Sequence, residues 1–178
     1  GWKAQQRLSS GDRLVCARRM EWTGEDVVSR DFAVVVAALL TEGYTPHGRN
    51  VATFTSYDSD FMEHFIDAFE REFDEKSGSL SPDGRVYRVG SAACKKIFKV
   101  ASKGLSGEKF VPDEMMGSTK EVMSDFLSIM IGAEGGVSES NGTFEYTSKS
   151  KLMVCQVRTM LLRFGVRSRF GVKANPDY

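Results

Sequence analysis

Two stretches of the chain repeat one another in a fixed register, and this limits the fold more than any other feature. The segment VVAALLTEG (residues 35–43) is echoed by LSIMIGAEG (residues 127–135), so that Glu42 and Glu134 lie 134 − 42 = 92 residues apart. Downstream of each stands an aromatic-Thr-Ser triplet, Phe54-Thr55-Ser56 and Tyr146-Thr147-Ser148, again offset by 146 − 54 = 92. An amphipathic helical pattern follows each triplet. Its apolar positions are Phe61, Met62, Phe65, Ile66, Phe69 and Phe73 in the first copy, and Leu152, Cys155, Met160, Leu161 and Phe164 in the second. A sequence that repeats both its motifs and their spacing encodes one supersecondary unit twice, each copy burying an apolar face that it cannot cover alone.

Caps and breakers give the order of elements within a copy. Asp31 is placed to cap a helix running to Glu42 and closed by Gly43, and Ser118 with Glu121 has the S-x-x-E form of a capping box opening the helix that Gly135 closes. Two strand-like stretches, 44–49 and 51–56, lead into an acidic helix over 59–74. A hairpin turned at Ser81-Pro82-Asp83-Gly84 and a short helix over 92–103 complete an αββαββα unit. In the second copy the pattern reaches a strand starting at Val166, with Val166, Ser168, Phe170 and Val172 on one face and Arg167, Arg169 and Lys173 on the other. Tyr178 falls opposite Val86, so the second copy is expected to be incomplete, its last strand and helix supplied by a further segment or a second chain.

Bulk properties bound the function class. The longest apolar run, FAVVVAALL at residues 32–40, is far short of the roughly 18 residues of a membrane span. The start of the chain lacks the basic-then-apolar form of a secretory signal. Cys16, Cys94 and Cys155 have no CxxC spacing, which predicts reduced, buried thiols in an intracellular protein and no structural zinc. Net charge is zero but unevenly spread. Residues 56–76 hold eight acids against two bases, and residues 141–178 hold seven bases against two acids. This asymmetry permits a basic, nucleic-acid-facing surface.

VVAALLTEG and LSIMIGAEG resemble the paired signature helices of the LAGLIDADG, or dodecapeptide, homing endonucleases, and the αββαββα order is similar to that family over residues 31–178. Residues 2–20, WKAQQRLSSGDRLVCARRM, resemble the tail of an intein splicing half, in which W-x-x-A-x-x-L-x-x-G-D precedes an inserted nuclease. The resemblance implies an α+β fold of two pseudo-symmetric repeats packed through a central helix pair. Its divisions are a splicing tail or linker at 1–25, a first repeat at 26–104 and a truncated second repeat at 105–178. It also implies an intein-encoded enzyme that makes a double-strand break at a specific DNA site, acting as a monomer with Mg²⁺ or Mn²⁺. The alternative is a module that keeps the fold and binds DNA without cutting it. The chain as given is not expected to splice.

The site residues follow from the same resemblance. Glu42 and Glu134 are expected as catalytic metal ligands. A carboxylate at a helix C-terminus meets the negative end of the macrodipole, at a cost of about 0.3–1 kcal/mol that a bound cation offsets. Lys109, in the Lys-x-x-Pro sequence ending at Pro112, is expected near the scissile phosphate to stabilise charge or move a proton. Ala37 and Thr41, and Ser128 with Gly132 beside the bulky Ile129, are the small residues expected at the helix pair. The DNA-facing set comprises His47, Arg49, Thr53, Arg85, Arg88, Thr143, Glu145, Arg167, Arg169 and Lys173. His64 reads as a partly buried packing residue, and Met115, Met116, Met123 and Met130 as core filling.

Overall fold

The computed structural model describes residues 7, 9–10, 19–25, 27–45, 50–73, 77–101, 105–139 and 142–172. The first copy runs α1 (Arg30–Thr41), β1 (Gly43–Tyr44), β2 (Ala52–Thr55), α2 (Ser59–Glu72), β3 (Gly78–Leu80), β4 (Val86–Val89) and α3 (Ser91–Ile97). The second runs α4 (Asp113–Met116), α5 (Lys120–Glu134), β5 (Gly135–Val137), β6 (Phe144–Tyr146) and α6 (Lys151–Arg163). The architecture is α+β with antiparallel sheets, consistent with the LAGLIDADG fold.

The 92-residue register holds down to single hydrogen bonds. β1 pairs β2 with Gly43 opposite Phe54, and β5 pairs β6 with Gly135 opposite Tyr146. The Thr55 amide donates to the Glu42 carbonyl at 3.4 Å, and the Thr147 amide to that of Glu134 at the same distance. Asp58 caps α2 and Ser150 caps α6, with the Asp58 amide donating to Ser56 Oγ and the Ser150 amide to Ser148 Oγ. Even the glycine after each glutamate has one physical reason. A Cβ on Gly43 would lie 2.2 Å from the Leu39 carbonyl oxygen, and one on Gly135 would lie 2.3 Å from that of Ile131. In both copies the chain leaves the helix so tightly that only glycine passes.

α1 is apolar all round and is buried without a break from Phe32 to Leu40, as a helix enclosed on every side must be. Its run of β-branched valines is a weak helix former, and tertiary burial overrides that preference. α5 packs along it, with Val122, Met123, Phe126, Leu127, Ile129 and Met130 buried. The two helices run the same way. The Arg30 guanidinium at the start of α1 is paired with Asp125 in the first half of α5 at 2.5 and 3.1 Å.

The four-stranded sheet has the order β1-β2-β4-β3 and packs on α2 through Ala52, Phe54, Tyr87 and Val89. Phe65 stacks on Phe54 at 4.3 Å and meets Tyr87 edge-on at 5.5 Å, and Phe69 adds Tyr87 and Phe73 at 5.2 and 4.8 Å. The second copy fills the equivalent positions of Phe61 and Phe65 with Met153 and Val157, both buried. One frame thus carries two different packings.

Several sequence expectations are corrected. Ser29, not Asp31, caps α1, accepting from the Phe32 amide at 2.9 Å, while Asp31 pairs with Arg71 on α2. The N-cap of α5 is Thr119, and Ser118 is buried with its hydroxyl donating to the Glu114 carbonyl. Residues 166–172 form no strand. In the first copy β3 pairs only with β4. Val166, Phe170 and Val172 stand exposed, with no strand among the described residues beside them. α6 instead ends at Gly165 (φ 79°), where the Gly165 amide donates to Leu162 and the Val166 amide to Leu161.

His64 is exposed on α2, not part of the packing. Cys94 is buried, its thiol donating to the Val89 carbonyl at 3.5 Å, Cys155 is exposed where a buried thiol was expected, and Cys16 lies outside the described residues. Met115, Met123 and Met130 are core residues as expected, with Met116 packed against them.

The small residues expected at the helix pair differ in burial between the two copies. Ala37 is fully buried and Thr41 half-buried. Ser128 and Gly132 point to solvent, and nothing lies within 4 Å of a Cβ built on Gly132. The rotation of α5 is set by its broad apolar stripe, and the register equivalents of Ala37 and Thr41 are Ile129 and Ala133, buried and half-buried. Two glycines three residues apart should therefore respond oppositely to alanine. Gly132→Ala is expected to stabilise by about 0.5–1 kcal/mol, because a helical glycine in open space only adds chain entropy to the unfolded state. Gly135→Ala is expected to destabilise by more than that, because its Cβ meets the Ile131 carbonyl and the Phe144 ring. Urea titrations of both variants check the pair of signs.

Candidate active site

Glu42 is the C-cap of α1, its amide donating to Ala38, and Glu134 is the last residue of α5. Because the helices are parallel and in register, the two carboxylates stand at the same end of the pair, each reaching the surface, with the Glu134 carboxyl partly covered by its surroundings. Lys109 reaches them from the segment that joins the copies. Its ammonium donates to the Leu40 carbonyl at 2.7 Å, one of the carbonyls that the end of α1 leaves open.

The three groups share one electrostatic field. The Glu134 carboxyl is pushed above the usual carboxylate range, first by partial burial and then by the charge of Glu42, with Lys109 acting in the opposite sense. Burial pushes the Lys109 amine down, while Glu134 and then Glu42 pull it up. Tyr146, where the first copy has Phe54, has its phenol raised by burial and by Glu134. Two carboxylates and one ammonium, converging from two helix ends and a linker, form a polar centre at the end of an apolar helix pair.

Among the described residues no group of three or more His, Cys, Asp and Glu side chains is gathered to hold a metal. The donor set at the helix ends is two hard carboxylate oxygen ligands. This suits a cation that completes its shell with water and phosphate, as Mg²⁺ does, and does not suit zinc.

The raised carboxyl carries a sign. A folded-state value above the unfolded one favours the fold below the ordinary carboxylate value, and that contribution is lost as pH rises through the raised value. Glu134→Gln is therefore expected to raise the melting temperature at pH 7.5 in EDTA, with the gain shrinking toward zero near pH ~4. Circular-dichroism melts at the two pH values check it. An equal gain at both would assign the effect to packing instead of charge.

The sheet face away from α2 carries a row set by the register: Tyr44 beside Thr53, Thr53 beside Arg88, and Arg88 beside Ser79. Arg88, Tyr44 and Ser79 are exposed and Thr53 is half-buried. Tyr44 and Ser79 were not among the sequence-predicted residues; only the strand register reveals them. Arg85 sits in the β3–β4 turn over the Tyr57 ring at 5.1 Å. In the second copy Thr143 and Glu145 are exposed at β6, and Arg167 and Arg169 are exposed in the irregular segment after α6. His47, Arg49 and Lys173 lie outside the described residues.

Comparison with known proteins meets this geometry in its second half. Residues 121–177 match a LAGLIDADG-like domain. That domain takes in nearly all of α5 with Glu134, both strands of the small sheet, and α6. The chain is also similar to the gyrase A protein of Mycobacterium kansasii, 25% identical over 99% of this chain and 34% of that protein. It is 24% identical to the replicative DNA helicase DnaB of a Nostoc species over 94% of this chain and 21% of that protein. The gyrase A protein of Mycobacterium leprae is 26% identical over 94% of this chain and 14% of that protein. The chain therefore spans about a third, or less, of the curated relatives it matches. No helix among the described residues is long and apolar enough to cross a membrane.

Proposed function

We propose that the chain is the nuclease part of an intein-encoded homing endonuclease, which makes a double-strand break at a specific DNA site. The observation that carries the reading is the convergence of Glu42, Glu134 and Lys109 at one end of the parallel helix pair. Alongside the LAGLIDADG-like domain, the relatives support it. A gyrase and a helicase do different things, yet a stretch covering nearly all of this chain is similar to part of each. An inserted element housed in unrelated hosts has that distribution. On this reading residues 1–25 are the tail of the splicing half, 26–104 the first repeat and 105–178 the second, and the protein is intracellular.

Glu42 and Glu134 would hold Mg²⁺ or Mn²⁺, which when bound supplies an activated water and neutralises charge at the scissile phosphate. Lys109 would stabilise the developing negative charge. One carboxylate per repeat gives each DNA strand its own acid. The row Tyr44-Thr53-Arg88-Ser79 and the exposed Thr143, Glu145, Arg167 and Arg169 would face the groove, with sheet side chains reading base edges.

The test is the complete protein incubated with a plasmid carrying its uninterrupted insertion site, in Mg²⁺ and in EDTA. Linear plasmid in Mg²⁺ only is the expected result. Site-specific binding with no metal-dependent cleavage would replace this reading by a module that binds DNA without cutting it.

A further inference from the structure

α6 holds the segment that carries Lys109 through two side chains. The Gln156 amide makes a reciprocal pair with the backbone of Val111: its Oε1 accepts from the Val111 amide at 2.8 Å and its Nε2 donates to the Val111 carbonyl at 2.9 Å. Val111 is fully buried, so Gln156 satisfies both main-chain groups of a residue cut off from water. Two residues earlier the Ser150 hydroxyl donates to the Lys109 carbonyl, while the same oxygen caps α6 by accepting from the Met153 amide at 3.1 Å. The Lys109 side chain then crosses to the first repeat and ends on Leu40. The clasp does not belong to the duplicated frame, because the register equivalent of Gln156 is the exposed His64.

We infer that Gln156 is a positioning residue, which with Ser150 locks the inter-repeat segment against α6 and so holds the Lys109 ammonium at the end of α1, on the Leu40 carbonyl. This rests on the nuclease reading for its consequence in catalysis, but not for the clasp itself. A flexible lysine with four rotatable bonds places its charge only as well as its backbone is fixed, and displacement by about 1 Å lowers a rate by up to about a hundredfold.

The test uses Gln156→Leu, which keeps the volume and removes both bonds, and Gln156→Glu, which keeps the acceptor for the Val111 amide and sets a carboxylate against the Val111 carbonyl. The first readout is independent of cleavage. The complete protein is labelled with an amine-reactive acetylating reagent, and the modification of each lysine is followed by mass spectrometry. Lys109 is expected to label several-fold faster in Gln156→Leu than in wild type, with the exposed Lys95 and Lys96 unchanged and Gln156→Glu in between. The second is cleavage of the insertion-site plasmid, where kcat should fall about ten- to a hundredfold with KM for DNA within a few-fold of wild type.

Unchanged Lys109 labelling in both folded variants overturns the clasp. Faster Lys109 labelling in a protein whose wild type does not cleave leaves the clasp standing and removes the nuclease reading. If Gln156→Leu does not fold, Gln156→Glu decides the labelling result by itself.

Discussion

Replacing either glutamate by glutamine is expected to lower cleavage of the cognate site by about two to four powers of ten while leaving site-specific binding within a few-fold of wild type. The substitution keeps the shape and the backbone contacts that place the side chain. These include the bonds from Thr55 and Thr147 to the glutamate carbonyls and the tight exits at Gly43 and Gly135. What it removes is half of the negative charge at the helix ends, with one of the four carboxylate oxygens replaced by an amide nitrogen that does not bind a hard cation. Supercoiled plasmid resolved into nicked and linear products reads the effect, because two pseudo-symmetric acids serving two strands predict that neither variant linearises at the wild-type rate. A Glu42→Gln protein that linearises normally would show that the acid at the end of α1 is only a helix terminus.

The largest effect on stability is expected at Phe65. It is fully buried and sits at the centre of the aromatic stack that joins α2 to the sheet, touching Phe54, Phe69 and Tyr87. Phe65→Ala removes a ring that its neighbours cannot collapse to replace, and should cost about 3–5 kcal/mol, a large part of the ~5–15 kcal/mol that holds an ordinary domain together. Val157 occupies the same position in the second copy, and Val157→Ala, which deletes two carbons, should cost roughly 2 kcal/mol. Denaturant unfolding of the two variants measures the contrast. Equal losses would mean that the repeats share their energetics as well as their hydrogen bonds, against the different packing of their cores.

The duplication was legible in the sequence because it rests on residues with local, irreplaceable jobs. Glycine after glutamate is demanded by the approach to the carbonyl four residues back, and the serine of each triplet turns the chain into the following cap. Such constraints leave the same residue at the same spacing in each copy. The convergence of Glu42 and Glu134 at one end of the helix pair follows from that register.

What the sequence did not disclose depends on partners far along the chain. The rotation of α5 is fixed by six buried apolar residues packing against α1, so the small pair Ser128 and Gly132, plausible by spacing, faces solvent. Strand alternation at 166–172 is a real pattern, but a strand needs a neighbour and the described residues offer none. The Gln156 clasp joins side chain to backbone across 45 residues, and no local pattern marks it. The outer row of Tyr44 and Ser79 becomes visible only through strand register.

On the nuclease reading, the duplication brings one carboxylate from each half to a single metal-binding centre. Crystals of the complete protein grown with Mn²⁺ test it most directly, through the position of the anomalous scattering peak. Density is expected between the carboxylates of Glu42 and Glu134, and is expected to be lost in the Glu134→Gln variant. A peak elsewhere, with both glutamates turned to solvent, would contradict it.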